Sequence, residues 1–313
     1  MKKVLLATTV LAMTATVAAA EVTLSGNGRM GVVYNGNAAS DKLQFSSRIR
    51  AVFTMSGETD GGLAFGGTFR ADNAGGAENG SAGNIFISGA FGKLAMGDVV
   101  GAAEEVIGDL PEIGFTDLSS TGVLNAGDDD VLFLTGDGNI YSSANNPGAL
   151  YTYSTGGLTF ALGMNDGWNN LASTNPDFDD TQAYSVGVKY AVDAYSVSLG
   201  YEVADPSVGT SAKHLIIGGE ATFGTTTVKA YYGDGSGAIA GLKHYGLGVT
   251  HKMDALTLKA YVKRTEVGAA DATGYGLGAA YSLGGGATVE GGIVDNNIAG
   301  SKPRADLGIK FTF

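Results

Sequence analysis

The sequence predicts an all-β fold, a transmembrane antiparallel β-barrel of sixteen strands with a long third loop folded into the lumen. Three observations predict it. Apolar and polar residues alternate with period two along almost the whole chain. Glycine is abundant, 51 of 313 residues, while charged residues make up only 16%, against about 25% in soluble domains. Connections between the alternating runs are short and long by turns. Several classes fall at once. The glycines show no G-X-Y period and there are only 5 prolines, which excludes collagen. With no cysteine there is no disulfide framework, no thiolate metal site and no cysteine nucleophile. A net charge of -12 with scattered Lys and Arg argues against a nucleic-acid partner.

The first element, residues 1–20, reads as a signal peptide. Lys2 and Lys3 form a basic end, residues 4–17 are almost continuously apolar, and Val17-Ala18-Ala19-Ala20 offers small residues for cleavage before Glu21. The stretch is short for a membrane-spanning helix. Losing the two lysines would take the net charge from -12 to -14. Residues 21–313 then form the barrel.

Strands are expected at 22–34, 42–56, 62–72, 84–90, 93–98, 148–154, 158–164, 183–191, 195–202, 212–221, 225–232, 243–250, 256–263, 274–281, 286–294 and 303–313. These runs suit tilted strands that cross a bilayer. In the second, Leu43, Phe45, Ile49, Phe53 and Met55 share one face, and Gln44, Ser46, Arg48, Arg50 and Thr54 the other. The ninth sets Tyr195, Val197, Leu199 and Tyr201 against Ser196, Ser198, Gly200 and Glu202. The thirteenth sets Leu256, Leu258, Ala260 and Val262 against Thr257, Lys259, Tyr261 and Lys263. The last sets Ala305, Leu307, Ile309, Phe311 and Phe313 against Arg304, Asp306, Gly308 and Lys310. A soluble core cannot take such unpaired cations, whereas a water-filled lumen can. Aromatic residues near the ends of the apolar faces read as interfacial girdles. A soluble sandwich gives no reason for loop lengths to alternate, and a β-solenoid would show a repeat. Among the long connections expected are residues 99–147, 233–242 and 264–273. In lipid the backbone must close its hydrogen bonds, so the sheet closes. About sixteen strands enclose a water channel.

The segment 99–147 is the outlier, too long for an ordinary connection. It carries Glu104, Glu105, Asp109 and Glu112, and among them Val106, Ile107, Leu110, Pro111, Ile113 and Phe115. A purely solvated loop needs no such apolar set, so the loop is expected to fold back against the inner wall and narrow the channel. Its acids Glu104, Glu105, Asp109 and Glu112 would then face Arg29, Arg48 and Arg50 across the gap. Arg70 joins them because it shares the Thr68 face, with Phe65 and Phe69 toward lipid. Opposite charges across a narrow aqueous gap create a transverse field that orients polar solutes. Asp128, Asp129 and Asp130, with Glu104 and Asp109, make a calcium candidate, since hard oxygen ligands on a loop suit that ion. A solubilising acidic tip is the plainer reading of Asp128–Asp130. No cofactor is required. The three histidines, His214, His244 and His251, lack metal-ligand spacing.

Across the whole chain the sequence resembles the general porins of purple photosynthetic alphaproteobacteria. The resemblance is carried by Glu21-Val22-Thr23-Leu24-Ser25-Gly26-Asn27-Gly28-Arg29-Met30-Gly31, Phe45-Ser46-Ser47-Arg48, Ser88-Gly89-Ala90-Phe91-Gly92-Lys93, Gly108-Asp109-Leu110 and the end Ala305-Asp306-Leu307-Gly308-Ile309-Lys310-Phe311-Thr312-Phe313. It implies a homotrimer of the Gram-negative outer membrane, in contact with lipid or lipopolysaccharide, each subunit with its own pore. It also implies a third-loop constriction with acids on the loop and bases on the wall, calcium near that loop, and Phe313 as the barrel-assembly signal. The function expected is passive diffusion of small hydrophilic solutes and ions, weakly cation-selective, with no catalysis. The alternatives are a substrate-specific channel, which would need an aromatic track or basic ladder, and an outer-membrane barrel hydrolase, which would need a serine beside His214 or His244.

Overall fold

The computed structural model describes residues 21–72, 81–118, 130–136, 139, 148–165, 181–206 and 208–313. Its strands are β1 Glu21–Asn35, β2 Leu43–Glu58, β3 Ala64–Asp72, β4 Ser81–Gly89, β5 Gly92–Gly97, β6 Gly148–Thr155, β7 Leu158–Asn165 and β8 Gln182–Val192. They continue as β9 Tyr195–Asp205, β10 Ala212–Phe223, β11 Thr226–Gly237, β12 Leu242–Met253, β13 Leu256–Val267, β14 Ala270–Gly284, β15 Ala287–Asp295 and β16 Arg304–Thr312. Among the described residues one short helix, α1 (Ala102–Ile107), lies between β5 and β6. Each strand pairs antiparallel with the next, and β1 pairs with β16, so the sheet closes. Closure gives every ladder two neighbours and leaves no edge to satisfy in lipid. The expected signal peptide, residues 1–20, lies outside the described residues.

The faces follow the alternation. Leu43, Phe45, Ile49 and Met55 of β2 stand outward and exposed, as do Tyr195, Val197, Leu199 and Tyr201 of β9. Their neighbours in sequence point inward. Outward aromatics gather at both ends: Tyr190, Tyr195, Phe223 and Tyr281 beside the short turns, and Tyr184, Tyr201, Tyr232, Tyr245 and Tyr275 toward the long loops. Tyr195 meets Phe223 edge to face, and Tyr232 stacks on Tyr245. These are the girdles expected where an amphipathic ring sits between hydrocarbon and water.

Two connections expected to be long are tight. β11 and β12 are joined by residues 238–241, and β13 and β14 by residues 268–269. The apolar signal stops where the membrane stops, but ladder hydrogen bonds need no apolar side chain and continue into water. Arg264 marks this extension. It binds Glu266 at 3.0 Å within β13 and Asp271 at 2.8 Å on β14, beyond the apolar belt.

There is no core between two sheets. The largest buried apolar cluster lies between the inner wall and the segment after β5, and includes Ala102, Ala103, Val106, Ile107, Leu110 and Ile113.

Candidate functional site

After β5 the chain turns into the lumen and runs along the wall. α1 packs on β7, β8, β9 and β10. The loop then crosses β12, β14 and β15 and reaches β16 and β1. Its seat is a track of glycines. A Cβ on Gly187 (β8) would collide with Ala102 O, and one on Gly200 (β9) would stand 2.7 Å from Ala103 Cβ. Ile107 lies over Gly218 of β10, Leu110 and Pro111 over Gly246 and Gly248 of β12, and Ile113 over Gly276 and Gly278 of β14 and Gly292 of β15. Phe115 closes the run over Gly308 of β16 and Gly31 of β1. None of these glycines has a positive φ. They are glycine because loop atoms occupy the space a side chain would fill. Each of Val106, Ile113 and Phe115 is essentially fully buried, which contributes about 1.5–3 kcal/mol per side chain.

Polar tethers fix the loop at three places. Ala102 N donates to Ser185 Oγ of β8 at 2.9 Å. At the far end Asp306 of β16 accepts from Thr116 N at 2.8 Å and Thr116 Oγ1 at 2.6 Å, while Arg29 Nη1 of β1 donates to Thr116 O at 3.1 Å. The returning limb, residues 130–136, is held by β9 and β7. Leu134 N and Thr135 N both donate to Glu202 at 3.0 Å, and Gly136 N to Asn165 Oδ1 at 2.9 Å. Buried carboxylates and amides in a wall are costly unless saturated, and the loop supplies their donors.

The four expected arginines share one patch. Arg29 lies directly opposite Arg48 in the β1–β2 register, and Arg48 Nη2 donates to Asn27 Oδ1 at 3.1 Å. Arg50 forks onto Asp72 of β3 through Nε at 2.6 Å and Nη2 at 2.7 Å, and Arg70 lies 3.9 Å from the same carboxylate. A single acid among four guanidiniums leaves the patch net positive. Half of the circuit separates β2 from β10, so the patch faces α1 across the lumen. Arg29 also clamps the loop end.

The acids divide. Burial pushes the Glu104 carboxyl up to about 7, with Asn139 Nδ2 donating to it at 2.7 Å and lowering it only in part. Burial also raises Asp109, against the 2.8 Å bond it accepts from Val131 N. Glu105 and Glu112 are exposed to the lumen. Glu112 lies 3.9 Å from Lys310, which binds Glu290 at 3.0 Å. Of the calcium candidates, Glu104, Asp109 and Asp130 fall among the described residues. Asp128 and Asp129 lie outside the described residues. Asp130 offers its backbone oxygen to Lys263 Nζ at 2.5 Å, and Glu104 and Asp109 are engaged as above. Among the described residues no three acidic or histidine side chains form a cation site, so this part of the set does not make a calcium cage.

His214 and His244 lie buried in the wall beneath the return limb, with Glu202 beside them. Tyr261, on the lumenal face with Lys259 and Lys263, is buried beside Gly276 and Ile113 and forms no exposed track. Sequence reasoning missed Ser185, Asn165, Glu202 and Asp306 as loop anchors. The signal was present: polar residues at inward positions of strands whose other inward positions are often glycine.

The comparisons agree with the barrel fold. A family model described as Gram-negative porin matches residues 7–298. A porin of Rhodobacter capsulatus is 44% identical over 315 residues, covering 94% of this chain and all of the relative. A solved porin structure superposes with a TM-score of 0.79 at 41% identity, over 94% of this chain and 100% of that one. A mutant porin of Rh. blastica superposes with a TM-score of 0.72 at 23% identity over the same shares, a likeness of fold.

Proposed function

This chain belongs to the family of Gram-negative porins, and from that premise we propose how its pore is set. The protein is a passive diffusion channel across the outer membrane, a multi-spanning barrel and not an enzyme. The narrow point is the gap between the lumen loop, about residues 99–147, and the patch of Arg29, Arg48, Arg50 and Arg70. The observation that carries this reading is the loop's seat on the wall opposite that patch. Glu105 and Glu112 present negative charge to the gap, with Glu104 and Asp109 set deeper. A solute crossing here is screened by size and turned by the transverse field. Small hydrophilic solutes and ions pass, with a weak preference for cations that follows from the net acidic chain.

Residues 1–20 are removed on export, and Phe313 marks the barrel for assembly. The outward face meets lipid or lipopolysaccharide, and three copies associate. The wall around β3 to β5, with strands of 9, 9 and 6 residues, supports such a contact. Its outer groove is lined by Met55, Phe65, Phe69, Ile85 and Met96.

Reversal potentials in a salt gradient test the selectivity. At pH 8 the purified protein in a planar bilayer should favour cations weakly. Anion preference there defeats the reading. Because the Glu104 carboxyl is raised to about 7, it is charged above that pH and neutral below it. Cation preference should therefore fall as pH drops from 8 to 6, and Glu104→Gln should remove that step. A reversal potential in Glu104→Gln that still moves between pH 8 and 6 as in the parent takes Glu104 out of the field.

A further inference from the structure

Beneath the return limb lies a chain of titratable groups that the pore mechanism does not use. Glu202 of β9 and His214 of β10 have no exposure, and His244 of β12 only 1%. Glu202 Oε2 accepts from Leu134 N at 3.0 Å and His214 Nδ1 at 2.9 Å. Its Oε1 accepts from Thr135 N at 3.0 Å and Thr135 Oγ1 at 2.7 Å. Four donors on two oxygens leave no place for a carboxyl proton, so the group is a carboxylate. His214 Nδ1 therefore carries hydrogen. His214 Nε2 and His244 Nε2 lie 2.7 Å apart and must share a single proton. The rings stack with centroids 4.9 Å apart. Gly233 of β11 makes room for them, since a Cβ there would collide with His244 Nε2.

We propose that Glu202, His214 and His244 are the positioning residues of the return limb, and that their hydrogen-bond chain releases this limb when the histidine pair takes up a second proton. The limit follows from counting. The neutral pair holds one proton on His214 Nδ1 and one between the two Nε2 atoms. A first added proton goes to His244 Nδ1 and leaves the chain intact. A second would set N–H against N–H at 2.7 Å, beside two imidazolium charges. The rings must then part, and His214 no longer holds Glu202 in place. The groups facing the pair are Glu202 from β9, the Tyr231 ring from β11 at 5.3 Å from His244, and Lys263 from β13. Lys263 adds its positive charge to the repulsion that the second proton creates.

The inference rests on the constriction reading, because only a loop that lines the pore reports its position in the current. The experiment therefore has two readouts on the purified protein: current fluctuations in a planar bilayer from pH 8 to 4, and amide hydrogen exchange at Leu134 and Thr135, corrected for intrinsic rate. In the parent, fluctuations should rise and protection should fall by about tenfold or more at acid pH. His244→Phe keeps a ring but carries no proton, and should flatten both profiles. Glu202→Gln turns an amide toward two backbone donors, and should expose both amides already at pH 8. Far-UV circular dichroism checks that each barrel is folded. Parent amides that stay protected to pH 4 overturn the proposal without any variant. So does a His244→Phe profile that overlays the parent. Protection lost at acid pH under a steady current supports the anchor and overturns the constriction reading instead.

Discussion

Gly187→Leu should narrow the pore, with single-channel conductance falling to about half or less while the barrel stays folded. The position is inward on β8, and Ala102 O of α1 occupies the space where its Cβ would stand. A backbone oxygen cannot rotate out of the way. Overpacking of this kind costs roughly 1–3 kcal/mol. That is less than the combined burial of Val106, Ile107, Leu110, Ile113 and Phe115, at about 1.5–3 kcal/mol each. The loop is therefore displaced but not released. It remains tied at Thr116 by Asp306 and Arg29, and at Leu134 and Thr135 by Glu202. A tethered helix pushed from its seat moves toward the lumen. Swelling rates of loaded vesicles should fall most for the largest solutes that the parent admits. Unchanged conductance and an unchanged size limit in a folded variant would mean that the loop does not set the narrow point.

The same position shows what the sequence reveals and what it hides. Period two is a local property, so each strand could be read by itself, and Arg48 and Arg50 could be placed inward from their neighbours Phe45 and Ile49. The apolar run from Val106 to Phe115 pointed to a wall. It could not say which wall, because the seat is assembled from one or two glycines on each of β8, β9, β10, β12, β14, β15, β16 and β1. In sequence these appear only as an excess of glycine. Glu202, His214 and His244 stand on three strands, and the barrel register alone brings them together. Asp306 looked like another lumenal polar residue, and it proved to be the clasp at the loop's far end. Strand ends were misjudged for a related reason: the apolar signal reports lipid, while the ladder reports pairing.

Replacing Arg48, Arg50 and Arg70 together by alanine should produce the largest change in selectivity, a shift toward cations of about fivefold in the cation-to-anion ratio. The estimate begins from about 1 kcal/mol for two unit charges 4 Å apart in water. An ion in the gap passes further off, and salt screens beyond about 8–10 Å. Three charges acting together then leave on the order of 1 kcal/mol. The triple change removes three positive charges from the patch. Arg50 forks onto Asp72, and Arg70 is next nearest to it. Removing both leaves Asp72 as a carboxylate facing the lumen, so the patch passes from net positive to balanced against Arg29 alone. Stability should change little, because both partners of the Arg50–Asp72 pair remain partly exposed to the aqueous lumen, where such pairs contribute little. The single variant Arg48→Ala tests whether the charges act additively. It removes one cation, bound to Asn27 Oδ1, uncovers no acid, and should move the reversal potential by about a third of the triple shift. If the triple variant keeps the parent's reversal potential, the arginine patch does not face the permeating ions, and the field must lie elsewhere along the pore.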